Sequence, residues 1–326
     1  MIRTPKTIPT AAALVATAAI VPAALGCSTA SRQPVSRSGP PAVTHQVRSP
    51  FTGEPVRSLG RVLAVKIDNI GRARPQTGLG SADIVYVLPV EGGLTRFLAV
   101  FSSRFPPVIG PVRSAREDDL QLLAQFGRPA FAYSGAQPQL LPVVEHARIV
   151  DLYSGIVGGY HRDHHRIAPY NLYANSATLR AEAKAASTAH DIGFRFGPAP
   201  AGGTAAGTEA VSYPAASFVF TWSAASSRWL VSMDGRPAAT TDSGRLSAAT
   251  VVFQHTVVRK SRYIEQGGLP PYAQTTGSGS ALVLRDGQSY PAHWSRPTPD
   301  GGTTFTTPGG QPMTFAAGPV WILLTQ

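Results

Sequence analysis

Four arginines gather in the first half of the chain: Arg74, Arg96, Arg113 and Arg116, with Arg166 further along. A guanidinium offers a rigid fork of donors that matches the oxygens of a phosphate or a carboxylate. Ser114-Ala-Arg-Glu117 has capping-box spacing, which predicts a helix start between Arg113 and Arg116. Free N–H groups and the dipole at such a start favour an anion. Gly92-Gly93 would let backbone approach a ligand closely. The candidate ligand-binding residues are therefore Arg74, Arg96, Arg113, Ser114, Arg116, Arg166 and Asn171. The competing reading pairs these arginines with Asp68, Asp83, Glu91 and Asp118 as a structural network.

The carboxylates suggest a second chemistry. Two acids at a suitable separation can cleave a glycosidic bond, one as acid and the other as base or nucleophile. Asp68 and Glu91 are the candidates, with Asp118 near them in sequence. Asp68 ends a strand, where Asp commonly stabilises a turn, and Glu91 precedes a Gly-Gly bend. His161-Arg-Asp-His164-His165 could be read as zinc ligands, but the spacing fits no i, i+4 pair, so a polar loop is expected and no metal. G-x-S-x-G, S-x-x-K, H-E-x-x-H and Walker patterns are absent, and no cofactor is expected. Gly277-Ser-Gly279 precedes no helical pattern and reads as part of a hairpin, and the four Trp as strand core.

The whole chain bounds these options. It has 326 residues, 29 basic and 18 acidic, for a net charge of +11. That length suggests two domains. Only 14% of residues are charged, which excludes a highly charged disordered chain. The basic balance favours anionic partners such as membrane headgroups or wall polymers. No basic helix, zinc spacing or RNP-like strand points to nucleic acid.

Residues 1–26 read as a secretory signal peptide: Arg3 and Lys6, then the short apolar run Ala11–Ala24. The one Cys of the chain, Cys27, follows Ala24-Leu25-Gly26. This resembles a lipobox and implies a lipidated first residue. The expected location is extracytoplasmic, lipid-anchored to the cell membrane. Residues 27–50, rich in Ser, Pro and Arg, read as a flexible tether.

The elements that must position the site follow in order. Short apolar runs predict strands at 62–67, 84–90, 96–101, 108–112 and 130–133. Helices are expected from Ser114 to Phe126, over 136–144 with breaks at its prolines, and over 177–186 capped by Asn175. Gly155–Tyr173 reads as a polar loop and 197–212 as a low-complexity linker. From Tyr213 onward only strand patterns occur, the first a hairpin of 217–222 and 228–233. The expectation is an α+β or mixed α/β domain over 51–196, then a smaller all-β domain over 213–326.

Five ordered motifs, VKIDN, ARPQTGLGSADIVY, VEGGLTRF, IGPVRSAR and RIAPYNLY, resemble the YerB-like bacterial lipoproteins. The resemblance implies a membrane-anchored envelope protein with a domain of unknown function and a β-rich C-terminal partner domain. In one departure, Pro169-Tyr170-Asn171 stands where the family pattern has Pro-His-Asn, which counts against a mechanism needing an imidazole there. Three functions follow as expectations. The first is a binding or scaffold lipoprotein for an anionic envelope ligand: a wall polymer, a peptide carboxylate or a lipid headgroup. The second is a wall hydrolase using Asp68 and Glu91. The third is a regulatory partner of another envelope protein.

Overall fold

The structure, a computed structural model, describes residues 46–265 and 268–326. The expected signal peptide, Cys27 and most of the expected tether lie outside the described residues. Among the described residues no helix is long and apolar enough to cross a membrane. Folded chain is present before Pro50, within the range expected as tether: Ser49 is buried, and its N–H donates to Glu54 O at 2.9 Å.

Strands dominate. Three are β1 (Leu63–Asp68), β2 (Ile84–Pro89) and β3 (Thr95–Phe101). They sit mid-sheet, buried on both faces, and so read as continuous apolar runs rather than alternating ones. The main sheet has 11 strands among the described residues. From one edge, its path runs Thr304–Thr306, Gln288–Arg296, Gly277–Arg285, Thr250–His255, Val320–Thr325, β2, β3, β1, Ala130–Tyr133 and Val150–Tyr153. The sheet is therefore continuous from the first segment of the chain into the last. The join is the parallel pairing of β2 with Val320–Thr325, in register Ile84↔Val320 to Val87↔Leu323.

Each face has its own apolar core. On one, Phe97 meets Phe218 at 6.2 Å and Trp321 at 5.6 Å, under a five-stranded sheet that includes Ala216–Ser223 and Arg228–Met233. Trp229, Trp294 and Trp321 are buried as strand core, while Trp222 is half-buried against Trp229. The other face packs against α1 (Glu117–Ala124), with Phe51 edge-on to Phe126. Period two in β1 sends Val65 and Ile67 to the first face, and Ala64 with Lys66 to the second. There Lys66, fully buried, donates to Asp119 at 2.6 Å.

Several expectations change. The helices are short: α1, α2 (Leu141–Glu145) and α3 (Ser176–Glu182). The chain is thus mainly β, and the first segment carries less helix than a mixed α/β reading implies. α1 begins at Glu117, with Arg116 and not Ser114 at its N-cap. Asp119 supplies the reciprocal bonds, accepting from Arg116 N at 2.7 Å while its own N–H donates to Arg116 O at 3.2 Å. The polar loop 155–173 contains the strand Tyr160–Arg162. The expected linker 197–212 holds Thr204–Ala205, paired to the main sheet, and most of the strand Thr208–Tyr213. Asn175 does cap α3, its Oδ1 accepting from Thr178 N at 3.0 Å.

Removing one partner of a buried ion pair strands the other charge, at about 3–5 kcal/mol. Lys66→Met should cost that much in urea-unfolding stability, and Lys66→Met with Asp119→Leu should recover part of it. A single variant as stable as wild type would show that the pair is not buried as described.

Candidate functional site

Strand direction gathers the polar residues. β1, β2, Ala130–Tyr133, Val150–Tyr153, Thr250–His255 and Val320–Thr325 all run the same way, with β3 opposed. Their C-terminal ends lie along one side of the sheet. Asp68 ends β1, Glu91 follows β2, and Arg96 near the start of β3 lies opposite Asp68 in register. Arg113 is laid beside β1 by its N–H, which donates to Lys66 O at 2.8 Å.

The charges here are paired. Glu91 accepts from Arg96 Nη2 at 3.0 Å and from Arg116 Nε at 2.9 Å, and Arg116 Nη2 closes a second bond to it. Arg96 Nη1 also donates to the Ser114 carbonyl at 3.1 Å. Arg116 Nη1 lies 3.1 Å from Glu265 Oε1. Glu265 comes from a distant hairpin, fastened to α1 by Glu117, which accepts from Ser261 Oγ at 2.8 Å and Arg262 Nε at 2.9 Å. Arg113 Nε donates to Asp68 Oδ2 at 2.8 Å. Arg96, Arg113 and Arg116 thus face Asp68, Glu91 and Glu265. Three of the arginines named as ligand candidates therefore meet here, each beside an acid, so the local charge is close to balanced.

A concavity of about 260 Å³ opens over this network, lined by Asp68, Glu91, Gly92, Arg96, Arg113 and Tyr170 among others. Arg113 differs from the rest. Its side chain is 24% exposed, and among the described residues its Nη1 and Nη2 make no hydrogen bond. The Tyr170 ring centre lies 5.8 Å from its guanidinium carbon, within cation–π range. Tyr170 and Glu265 were not among the residues singled out for this site. Tyr170 drew notice only as a departure from a family pattern.

Other candidates stand apart from this concavity. Arg74 is held by Asn69 Oδ1 at 3.0 Å and Asp234 Oδ2 at 2.7 Å. Arg166 donates to the carbonyls of Ala73 at 3.0 Å and Pro75 at 2.7 Å, clamping a loop. Asn171 accepts from Arg162 at 2.7 Å and donates to Asp163 O at 3.2 Å. Among the described residues, no group of three or more His, Cys, Asp or Glu is arranged to hold a metal ion. His161 stacks on Tyr173 instead.

Environment sets the protonation states. Burial alone would raise the Glu91 carboxyl, but the Arg116 hydrogen bond and the Arg96 and Arg116 charges outweigh it and hold it at about 2. Burial, then the neighbouring Arg116 charge, lowers Arg96 to about 10, still cationic at neutral pH. Asp118 lies behind the site, on α1. It is 1% exposed and neither carboxyl oxygen has a hydrogen-bond partner. Burial, then the Asp119 charge, pushes Asp118 up to about 7, against the opposing pull of Lys66 and Arg116.

Fold and site together describe a mainly β protein with a charge-balanced concavity at one side of its sheet. Residues 51–189 match the N-terminal domain, and 210–322 the C-terminal domain, of the family described as proteins of unknown function, DUF3048. The chain belongs to this family. YerB of Bacillus subtilis (strain 168), described as a candidate lipoprotein, is 42% identical over 101 residues. That match spans 30% of this chain and 30% of YerB. A crystal structure of the B. subtilis YerB protein superposes with a TM-score of 0.72 at 23% identity, covering 86% of this chain and 96% of that one.

Asp118 binds more protons folded than unfolded between 3.8 and about 7, so its contribution to stability falls as pH rises through that window. Asp118→Asn cannot ionise. Its melting temperature should therefore gain on wild type between pH 4 and pH 8. A difference that stays flat with pH would mean the carboxyl titrates normally.

Proposed function

We propose that this chain is a lipid-anchored, extracytoplasmic binding protein whose concavity takes a small anionic group on Arg113. The observation that carries the reading is the uncommitted fork of Arg113. Its Nε is fixed by Asp68, the Tyr170 ring lies beside the guanidinium, and Nη1 and Nη2 make no hydrogen bond among the described residues although Arg113 lines the concavity. The surrounding network supports this by pre-organising the fork. An anion entering it meets a donor already oriented and only partly solvated, which lowers the cost of ordering. Arg96 and Arg116 have the role of scaffold for Glu91 rather than of ligand contacts.

The anchor is read from residues 1–26 as leader and Cys27 as the lipidated residue, and the lipoprotein description of YerB supports it. The boundaries 51–196 and 213–326 remain our division of the body into two segments within one sheet. A carboxylate, a phosphate of a wall polymer or a lipid headgroup all carry the required oxygens. Glycoside hydrolysis by Asp68 and Glu91 is the weaker reading: Glu91, held at about 2, cannot be the acid, and its oxygens are already taken by Arg96 and Arg116, which leaves it a poor base or nucleophile.

Losing a charge-assisted hydrogen bond costs about 1.5–3 kcal/mol, or roughly ten- to a hundredfold in affinity. NMR titration of the full chain in detergent with acetate and with inorganic phosphate should give saturable shifts at Arg113. Arg113→Ala should weaken binding by that factor; because it also strips the nearly buried Asp68 carboxylate of its partner, the urea midpoint should fall, and binding is compared under conditions where both proteins are folded. If neither anion saturates, or the variant binds as tightly, the anion site is refuted.

A further inference from the structure

A second and larger concavity, of about 460 Å³, lies at the same side of the sheet. It is built from both halves of the chain. The ends of β2 and of Val320–Thr325 form its base, through Pro89, Val90 and Leu324. Tyr213 closes one side, its hydroxyl donating to Leu324 O at 3.0 Å. Val258, Leu269 and Pro271 of the hairpin close the other. Val90, Glu91 and Gly92 line this chamber and the Arg113 concavity alike. The divider between the two is thus a single bend.

That bend is low. Gly92 has φ +70°, and a Cβ added there would meet only Leu94 Cδ1, at 3.9 Å. No side chain rises from Gly92 between the compartments. Gly93 next to it is seated against Pro214, and Ala215 N donates to Gly93 O at 2.9 Å, which fixes the bend in place. Apolar surface is left open at the chamber: Leu269 is 43% exposed. Its volume falls within the range of pockets that enclose small organic ligands, about 300–1,000 Å³.

We infer that the two concavities are one two-part site, and that its ligand is an amphiphilic anion: a carboxylate or phosphate on Arg113, with a hydrocarbon arm crossing Gly92 into the chamber. This rests on the Arg113 reading. Continuity across the Val90–Gly92 bend and the mainly apolar lining of the chamber, which also carries His255, Thr325 and Gln326, argue for an arm of the same molecule. A long polar polymer would leave that lining exposed or bury polar groups against it.

The test is a homologous series of carboxylates, acetate, propionate, butyrate and hexanoate, titrated into the full chain in detergent after subtraction of the micelle-only signal. Each buried methylene should tighten binding by about fourfold. Leu269→Ser and Val258→Ser should each lower the ratio of hexanoate to acetate affinity. Arg113→Ala should weaken every member. If acetate binds but the series is flat, the inference is overturned, the Arg113 site stands, and the chamber serves another occupant such as a protein side chain. A rise unaffected by both hairpin variants also overturns it, since the arm then lies elsewhere. If acetate itself fails to bind, the Arg113 reading falls and this inference with it. Phosphate and methyl phosphate run in parallel would tell a phosphate source from a carboxylate one.

Discussion

The parallel pairing of β2 with Val320–Thr325 is the contact on which everything else depends. Parallel strands need a long connection, and here nearly the whole folded chain serves as that connection. Without this pairing, the strands Ile84–Pro89 and Val320–Thr325 would each present an open edge. With it, two segments that match separate family domains share one sheet and one pair of cores. The side of the sheet that results collects residues from both segments. Glu91 and Arg96 come from the first, Glu265 and Leu324 from the second.

Glu91 is the electrostatic counterpart of that pairing. Two nearly buried guanidiniums, Arg96 and Arg116, converge on one half-buried carboxylate. Two like charges so placed repel, and only the shared acid makes their approach tolerable. The short bend Glu91–Gly93 can offer the acid at the right point because Gly92 and Gly93 both adopt positive φ, a conformation that costs other residues energy. A device that balances charge this closely is rigid. Arg113, bound to Asp68 by one nitrogen only, is the exception that stays available.

Much of the strand content was legible because buried strands announce themselves. Ala130–Tyr133 and Arg228–Met233 occur where apolar runs bounded by turn residues put them. The strand Thr208–Tyr213 was hidden, since one of its faces is exposed and its neighbours are Gly, Ala and Thr, a composition that also describes a linker. Helix α1 was read two residues too early. Ser114 and Glu117 have the right spacing, but so do Arg116 and Asp119, and only the Asp119 carboxylate, three residues into the turn, meets the free N–H of Arg116. The arginines of the site were recognisable by type. Their partners were not, because the choice between Asp68, Asp118, Glu91 and Glu265 is made by tertiary contacts. Glu265 in particular reaches Arg116 only because Glu117 holds its hairpin.

Structural network and ligand site need not compete for the same residues. An arginine fully satisfied by acids has little left to offer an anion, and a fully free arginine is flexible and strongly hydrated, so it loses entropy on binding. Arg113 lies between these limits. One bond to Asp68 and the face of Tyr170 restrict its rotamers, yet two of its nitrogens remain open. Its companions Arg96 and Arg116 spend their donors on Glu91 and backbone carbonyls, and Arg116 also faces the Glu265 carboxylate. The acids that neutralise them also keep the local field from trapping any passing anion, so selectivity must come from shape and from what lies beyond Gly92. A neutral surround with one oriented donor discriminates by the rest of whatever meets it rather than by charge alone.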